Sequence, residues 1–396
     1  MDSITFFYPS KTVGGAEFLF LRLAEQVSKL GSVRVKYIDY RDGFAKSRIE
    51  SNGLDIDIIE FCDHKKIAIN YNTVVITPLS NIFEVNNYLR GLFKLYFWSI
   101  HPFGLKDAIV SNHKYSLFSN PRMDRYGKDI DFLLSKNGLT FMDGSNLYYQ
   151  QETFKFKTTV DDFTPIFCPA RKGGTRKINE EEVNLGWLGR LDKDKIYTVK
   201  NIISHIQKFC EQNKNIKIVF HIIGDGKERV NLSKVNTTDN FSMVLINTLL
   251  DDELTEYANN KVDVFFAMGT SSLELASMGK PVVLVDLMDQ EVGAVNRFKW
   301  IYNSKYFSVG TPFTIVNENA LSFENIILNI NNDDLEVIGN LSRQYYLKNH
   351  TIDIVVDKIL KAVSETTLTS CDLKKTKLRC SFFFSKIKLI KRFFKV

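Results

Sequence analysis

The 396-residue chain is poor in cysteine and has no long apolar run. Its five cysteines, Cys62, Cys168, Cys210, Cys371 and Cys380, are scattered without C-x-x-C spacing. That argues against a zinc site and a disulfide framework, and it fits a reducing cytoplasm. No stretch approaches the ~18 consecutive apolar residues of a membrane span. The opening residues, MDSITFFYPSKTVGG, lack a basic n-region and a long apolar h-region, so no signal peptide is expected. Internal repeats and low-complexity tracts are missing too, which sets aside solenoids and fibrous arrays. Acids do recur as Asp-x-Asp, at Asp55–Asp57, Asp129–Asp131 and Asp192–Asp194. The first reads as alternating along a strand edge, the second as flanking a helix start. The third lies in a loop already supplied with cations. A divalent metal needs several converging oxygens, and none is evident, so no metal site is expected.

What remains is an ordinary globular composition, 44% apolar and 25% charged, with aromatics at 13% supplied mostly by phenylalanine. The length favours two domains. The net charge of +6 is uneven. From Cys371 onward, nine basic residues face one acid, giving +8 and leaving −2 on residues 1–370. The segment Phe382–Phe394, FFFSKIKLIKRFF, places Phe383, Ile387, Ile390 and Phe394 on one helical face with Lys388, Lys391 and Arg392 off it. It is too short and too charged to span a bilayer. It suits an anionic membrane surface, with Lys374–Lys395 as the basic contacts. A nucleic acid would leave the Phe-rich face unused. A solvated basic tail is the plainer alternative.

Strands and helices alternate along the first half, as parallel sheets with crossovers require. Ile4–Tyr8, Val33–Tyr40, Ile56–Phe61, Val74–Thr77 and Leu95–Ser99 read as strands, and Ala16–Lys29 and Ile82–Leu92 as helices. Ile130–Ser135 is helical in pattern, and Leu139–Met142 leads into a turn at Asp143. Prolines, glycines and charge shifts mark a boundary over Pro165–Glu182. A second α/β unit runs to about Asn340, a helix covers Ile352–Ser364, and Thr366–Ser370 reads as a polar hinge.

Three segments of that second unit carry the chemistry. VDVFFAMGTSSLELASMGKPVVLV, from Val262 to Val285, reads as strand, turn, short helix, Gly-Pro break and strand. Thr270 or Ser271 is the natural N-cap. Amides of Thr270, Ser271 and Ser272 would form an anion site fit for a diphosphate. Glu274, one turn in, can reach a ribose diol, or simply favour the helix dipole. VNLGWLGRLDKDK, from Val183, ends a strand in a turn bearing Arg190 and Lys195, two cations able to neutralise a leaving diphosphate, or a solvated loop beside Asp192 and Asp194. IVFHIIGDGKER, from Ile218, ends in Gly224-Asp225-Gly226, which a turn explains.

These segments in this order resemble the carboxyl-terminal half of GT-B glycosyltransferases, most nearly the bacterial enzymes that build surface polysaccharides such as capsule or O-antigen. There a Gly-Arg-Leu turn with a lysine five residues after the arginine grips the donor diphosphate, here Gly189-Arg190-Leu191 with Lys195. A later glutamate before Gly-Lys-Pro-Val-Val binds the donor ribose, here Glu274 before Gly279–Val283. Tyr8-Pro9 followed by Gly14-Gly15-Ala16-Glu17 looks like the family's first strand and glycine loop. The resemblance implies two Rossmann-like domains flanking an interdomain cleft, over 1–170 and 183–345. It also implies a returning helix over 346–366, with the basic amphipathic tail at 371–396. His101, after a strand and before Pro102, corresponds to a histidine that contacts the transferred sugar, or it is a loop histidine bonded to backbone. Gly14, Gly15, Gly269, Thr270, Ser271, Ser272 and Glu274 would hold the donor. Arg190, Lys195 and His101 would act in the transfer. Asp143 reads as an Asx-turn residue or a base towards an acceptor.

The expected reaction moves a sugar from a UDP- or GDP-sugar to a lipid-linked glycan, without cofactor or metal, on the inner face of the plasma membrane. One departure stands out. Many retaining members carry a second glutamate before the ribose-binding one, whereas Phe266 and a shortened turn precede Glu274 here. Retention or inversion is therefore left open. A nucleotide-sugar epimerase of the same fold, or a non-catalytic binding subunit, are the alternatives.

Overall fold

The computed structural model describes residues 1–113, 121–173, 182–193, 195–315, 320–330 and 334–379. The chain divides into two compact bodies. One joins Met1–Ile166 to the chain from Ile352 onward, and the other is Phe167–Thr351. Each is built on its own sheet.

The strands of the first body are β1 (Ser3–Phe7), β2 (Arg34–Tyr40), β3 (Asp57–Phe61), β4 (Ile67–Ala68), β5 (Thr73–Pro78), β6 (Leu89–Arg90), β7 (Lys94–Ser99) and β8 (Leu139–Phe141). Six form a parallel sheet in the order β3-β2-β1-β5-β7-β8, and β4 pairs with β6 apart from it. Helices cover both faces of such a sheet, so its central strands are buried on both sides rather than on alternate residues. All five residues of β1 are buried. The helix Gly15–Lys29 turns Leu19, Phe20, Leu23, Ala24 and Val27 inward, a helical spacing that lays one apolar stripe on the sheet.

The single helix expected over Ile82–Leu92 is shorter. It ends at Tyr88, and Leu89–Arg90 become extended to pair with β4. Gly91 permits the bend. Its φ is +116°, and a Cβ there would lie 2.4 Å from the Ile69 carbonyl oxygen.

The helix expected over 346–366 is two helices. Leu335–Asn349 ends in the second body, and Ile352–Glu365 begins in the first, where Gln26 donates to Asp353 at 3.1 Å. The hinge expected at Thr366–Ser370 is a built part of the first body. Thr366 is fully buried, and its hydroxyl donates to the Leu95 carbonyl at 2.8 Å. The Leu95 amide donates to Leu368 at 2.8 Å, and Ser370 donates to Phe93 at 2.9 Å. The threonines and serine that suggested a solvated hinge instead satisfy the free backbone groups of β7's lead-in. The tail therefore does not begin at Cys371. Thr369 and Asp372 form a capping box for the turn Ser370–Leu373. Leu373 and Leu378 are fully buried, and the Lys377 amide reaches Asp129 at 3.2 Å. Lys374, Lys375, Lys377 and Arg379 stay exposed on this folded segment. The amphipathic stretch Phe382–Phe394 lies outside the described residues.

The strands of the second body are β9 (Glu182–Leu188), β10 (Lys217–Ile223), β11 (Phe241–Ile246), β12 (Val264–Ala267), β13 (Val282–Leu284) and β14 (Lys299–Trp300). Their order is β11-β10-β9-β12-β13-β14, parallel except for β14. Trp187, Val199, Ile202, Ile206, Phe266, Phe298 and Phe323 belong to one buried cluster beside the sheet. In both sheets the first strand is central, the next two run out on one side and the later three on the other. A ligand crevice in such a sheet opens beyond the carboxyl ends of the strands where the order reverses. That is β1/β5 in the first body and β9/β12 in the second.

Candidate functional site

At the reversal point of the second sheet, β9 leads into the loop of Arg190 and Lys195, and β12 leads into the helix Thr270–Ser277. Leu188, the last residue of β9, pairs directly with Ala267, the last of β12. The two following loops thus leave the sheet side by side. Arg190 is exposed and lies 3.6 Å from Asp192, a surface pair of small energetic consequence. Lys195 is the N-cap of the helix Ile196–Gln212, its amide bonded to Asp192 at 2.9 Å.

The helix Thr270–Ser277 is capped differently from the expectation. Its N-cap is Gly269, at φ +62°, and neither Thr270 nor Ser271 caps it with a side chain. A residue with a Cβ is disfavoured at that angle, which is why the cap falls on the glycine. The Gly269 amide donates to Val309 at 2.6 Å, and the Ser272 amide and hydroxyl both turn back to the Gly269 carbonyl. Gly269 and Ser272 are therefore committed within the fold. The Thr270 and Ser271 amides meet no acceptor among the described residues. The expected three-amide grip reduces to those two. Glu274, with 19% of its side chain exposed, lies 3.7 Å from Arg171. Arg171 also reaches Asp251 at 3.3 Å. Arg171 escaped the sequence reading because it sits in an irregular boundary segment, where neither periodicity nor a motif marks it.

Two further groups brace this edge; the first was read from the sequence only as a turn, and the second was not singled out. Gly224-Asp225-Gly226 is more than a turn. The Asp225 carbonyl accepts from Leu191 at 2.9 Å, and its carboxylate accepts from the Thr248 amide at 2.8 Å. Arg229 donates to the carbonyls of Gly224 and Ile246 at 3.1 and 2.9 Å. Loops after β9, β10 and β11 are thereby tied together, and a Cβ at Gly224 would lie 2.1 Å from the Gly189 carbonyl oxygen. Beyond β13, buried Asp286 pairs with Arg297 at 2.5 Å, while Arg297 donates to the carbonyls of Phe313 and Ile315. Burial pushes the Asp286 carboxyl up to about 6, against the opposing pull of Arg297. This pair pins the strap that carries Val309 to Gly269.

Phe266 is fully buried in β12, with its ring 5.3 Å from Phe298. It cannot present an acid or any polar group to a sugar. The remaining residues singled out from the sequence belong to the first body. Gly14 caps the helix Gly15–Lys29 in an extended conformation, and Gly15 opens that helix. Glu17 does more than interact with the dipole. Its carboxylate accepts from Ser10 at 3.0 Å, Thr12 at 3.4 Å and Tyr8 at 3.5 Å, folding the glycine loop around itself. Asp39, fully buried, accepts from the amides of Ser10, Tyr40 and Lys46 and braces the same loop. His101 follows β7, exposed, and its Nδ1 accepts from the Phe103 amide at 3.2 Å, so the backbone-bonded reading of that histidine is present in the fold. Gly14 and His101 sit on one edge of one sheet, with β5 between their strands. Asp143 is the N-cap of the helix Gly144–Phe154, accepting from the Asn146 amide at 2.7 Å. Of the Asp-x-Asp acids, Asp57 pairs with Arg34 and Asp131 accepts from Lys157 and Thr158. Asp194 lies outside the described residues. Among the described residues no three metal-binding side chains cluster.

No protein-family model and no curated protein matches the chain. Solved structures do. The lipopolysaccharide outer core galactosyltransferase WaaB, in its apo form, aligns at a TM-score of 0.52 with 9% identity, over 92% of this chain and 97% of that one. The N-terminal domain of trehalose-6-phosphate phosphatase from Candida albicans aligns at 0.52 with 10% identity, over 92% and 97%. Anabaena Alr3699/HepE, solved with UDP and glucose, aligns at 0.49 with 12% identity, over 91% and 99%. Identities this low speak to fold. The chain has the paired Rossmann-like sheets of the GT-B fold and in that resembles GT-B glycosyltransferases.

Proposed function

We propose that the chain is a glycosyltransferase that moves a sugar from a nucleoside-diphosphate sugar to a glycan acceptor. The observation that carries this is the register of β9 with β12. It brings side by side the strand ends from which the loop of Arg190 and Lys195 and the helix of Thr270, Ser271 and Glu274 depart, which supports reading them as one donor site. In the reaction the bond from the sugar's anomeric carbon to the diphosphate oxygen breaks, the acceptor hydroxyl oxygen takes its place, and the hydroxyl proton passes to the leaving diphosphate or to water. Negative charge grows on the leaving diphosphate. Arg190 and Lys195 are placed to neutralise it, and the Thr270 and Ser271 amides to accept it as hydrogen-bond donors already in position. Glu274 accepts from the ribose hydroxyls. The likeness to WaaB, a galactosyltransferase by name, supports the reading through the fold it shares.

The acceptor is proposed to be lipid-linked, as in capsule or O-antigen assembly, with the protein held to the inner membrane face by its basic carboxyl-terminal residues. Among the described residues no helix is long and apolar enough to cross a membrane, so attachment would be peripheral. The donor is taken as UDP- or GDP-linked, with no cofactor or metal. The test is a panel of UDP- and GDP-sugars incubated with membranes of the source cell, reading free nucleoside diphosphate. Release that depends on membranes supports transfer. Binding without release supports the second reading, a non-catalytic subunit, which buried Phe266 favours because it cannot offer the sugar a carboxylate. Conversion of the donor without release supports an epimerase.

A further inference from the structure

Glu274 is not mounted on its helix alone. Arg171 has 13% of its side chain exposed and reaches Glu274 and Asp251 with the same terminal nitrogen, at 3.7 and 3.3 Å. Its Nε is buried without a partner among the described residues. A guanidinium so enclosed is costly unless its charge is used. The segment that carries it is held at both ends. The Cys168 carbonyl accepts from Tyr346 at 3.0 Å, and Gly173 lies so close to the helix Thr270–Ser277 that a Cβ would stand 1.6 Å from the Met278 carbonyl oxygen. Arg171 is therefore fixed with respect to the helix that bears Glu274.

We propose that Arg171 is a positioning residue for ribose recognition, and that it acts through Glu274. A glutamate one turn into a helix has several rotamers, and water competes for its carboxylate. The fixed cation selects the rotamer that keeps the carboxylate at the diphosphate end of the helix. The carboxylate so placed can accept from both ribose hydroxyls. Lysine would preserve the charge but not the planar, rigid guanidinium that carries it. The proposal rests on the reading of Glu274 as the ribose acceptor, and the experiment separates the two.

Calorimetry would compare UDP and GDP with their 2′,3′-dideoxy forms on wild type, Arg171→Gln, Arg171→Lys and Glu274→Gln, each first checked for an unchanged melting curve. Wild type is expected to prefer the ribonucleotide by about tenfold or more, the scale of a charge-assisted hydrogen bond. Arg171→Gln is expected to lose most of that preference while binding the dideoxy form as wild type does, and Arg171→Lys to recover part of it. A variant combining Arg171→Gln with Glu274→Gln should be no worse than Glu274→Gln alone. Equal binding of both forms by wild type would overturn the Glu274 reading and this proposal with it. A wild-type preference that survives Arg171→Gln would overturn the proposal alone. So would an equal loss of affinity for both forms, which would place Arg171 on the nucleotide or in the fold itself. A melting point lowered in both Arg171 variants would likewise make the residue structural and overturn it.

Discussion

Cutting the chain after Ser370 should damage the first body, whereas cutting after Arg379 should leave it intact. The segment between them contributes Leu373 and Leu378, both at 0% exposure. Fully burying a leucine is worth ~1.5–3 kcal/mol, so the two together supply roughly 3–6 kcal/mol. The capping box on Ser370–Leu373 adds ~1 kcal/mol. Against a domain stability of about 5–15 kcal/mol, that loss is large enough to leave the first body partly unfolded at 37 °C. The shorter cut removes five of the nine basic residues that follow Cys371, and it leaves residues 1–379 with a net charge of +1. The assay is thermal melting and limited proteolysis of both truncations, followed by flotation on liposomes with and without anionic lipid. The cut after Arg379 should melt like the full chain and lose flotation. Equal melting of the two truncations would refute the argument from Leu373 and Leu378. Equal flotation of the full chain and the cut after Arg379 would take the membrane contact away from Phe382–Phe394.

Arg190→Ala and Lys195→Ala should each lower turnover about 100-fold or more with no change in melting, the usual scale for removing one stabiliser of developing charge; near-normal turnover in both would mean that the loop is only solvated. Activity should persist in EDTA, because Arg190, Lys195 and the helix amides are proposed to compensate the phosphate charge; loss reversed by magnesium or manganese would contradict that. His205 is held below its ordinary value by burial, so the unfolded chain takes up the proton first as pH falls through about 6.5 and stability drops there. Thermal midpoints between pH 7.5 and 5.5 should therefore slope less in His205→Leu than in wild type, and an unchanged slope would assign the effect elsewhere.

Much of the architecture follows from local pattern. β1, β2, β5 and β7 are rich in β-branched and aromatic residues, and the helices Gly15–Lys29 and Ile196–Gln212 repeat apolar residues at helical spacing. The turn after Leu188 and the glycine before Thr270 are visible as breaks in those runs. Where the reading failed, the deciding contact lay far along the chain. The polar letters of Thr366–Ser370 suit a solvated hinge until β7's lead-in needs partners roughly 270 residues away in sequence. The helix over Ile82–Leu92 stops early because Gly91 must pass close to Ile69. Thr270 and Ser271 are good caps by composition, yet the cap falls on Gly269, whose amide the Val309 strap also claims.

The sequence by itself determined the class of the fold, the position of its glycine turns and the cations and carboxylate that follow them. Each of these depends on residues within one strand–turn–helix, where period and capping chemistry are local. Tertiary structure alone decided which of those residues can act together. The β9–β12 register sets the strand ends Leu188 and Ala267 side by side, Arg171 reaches Glu274 from 103 positions earlier, and the carboxyl-terminal leucines close the first body. Such pairings come from packing and strand order, which no local window of sequence contains.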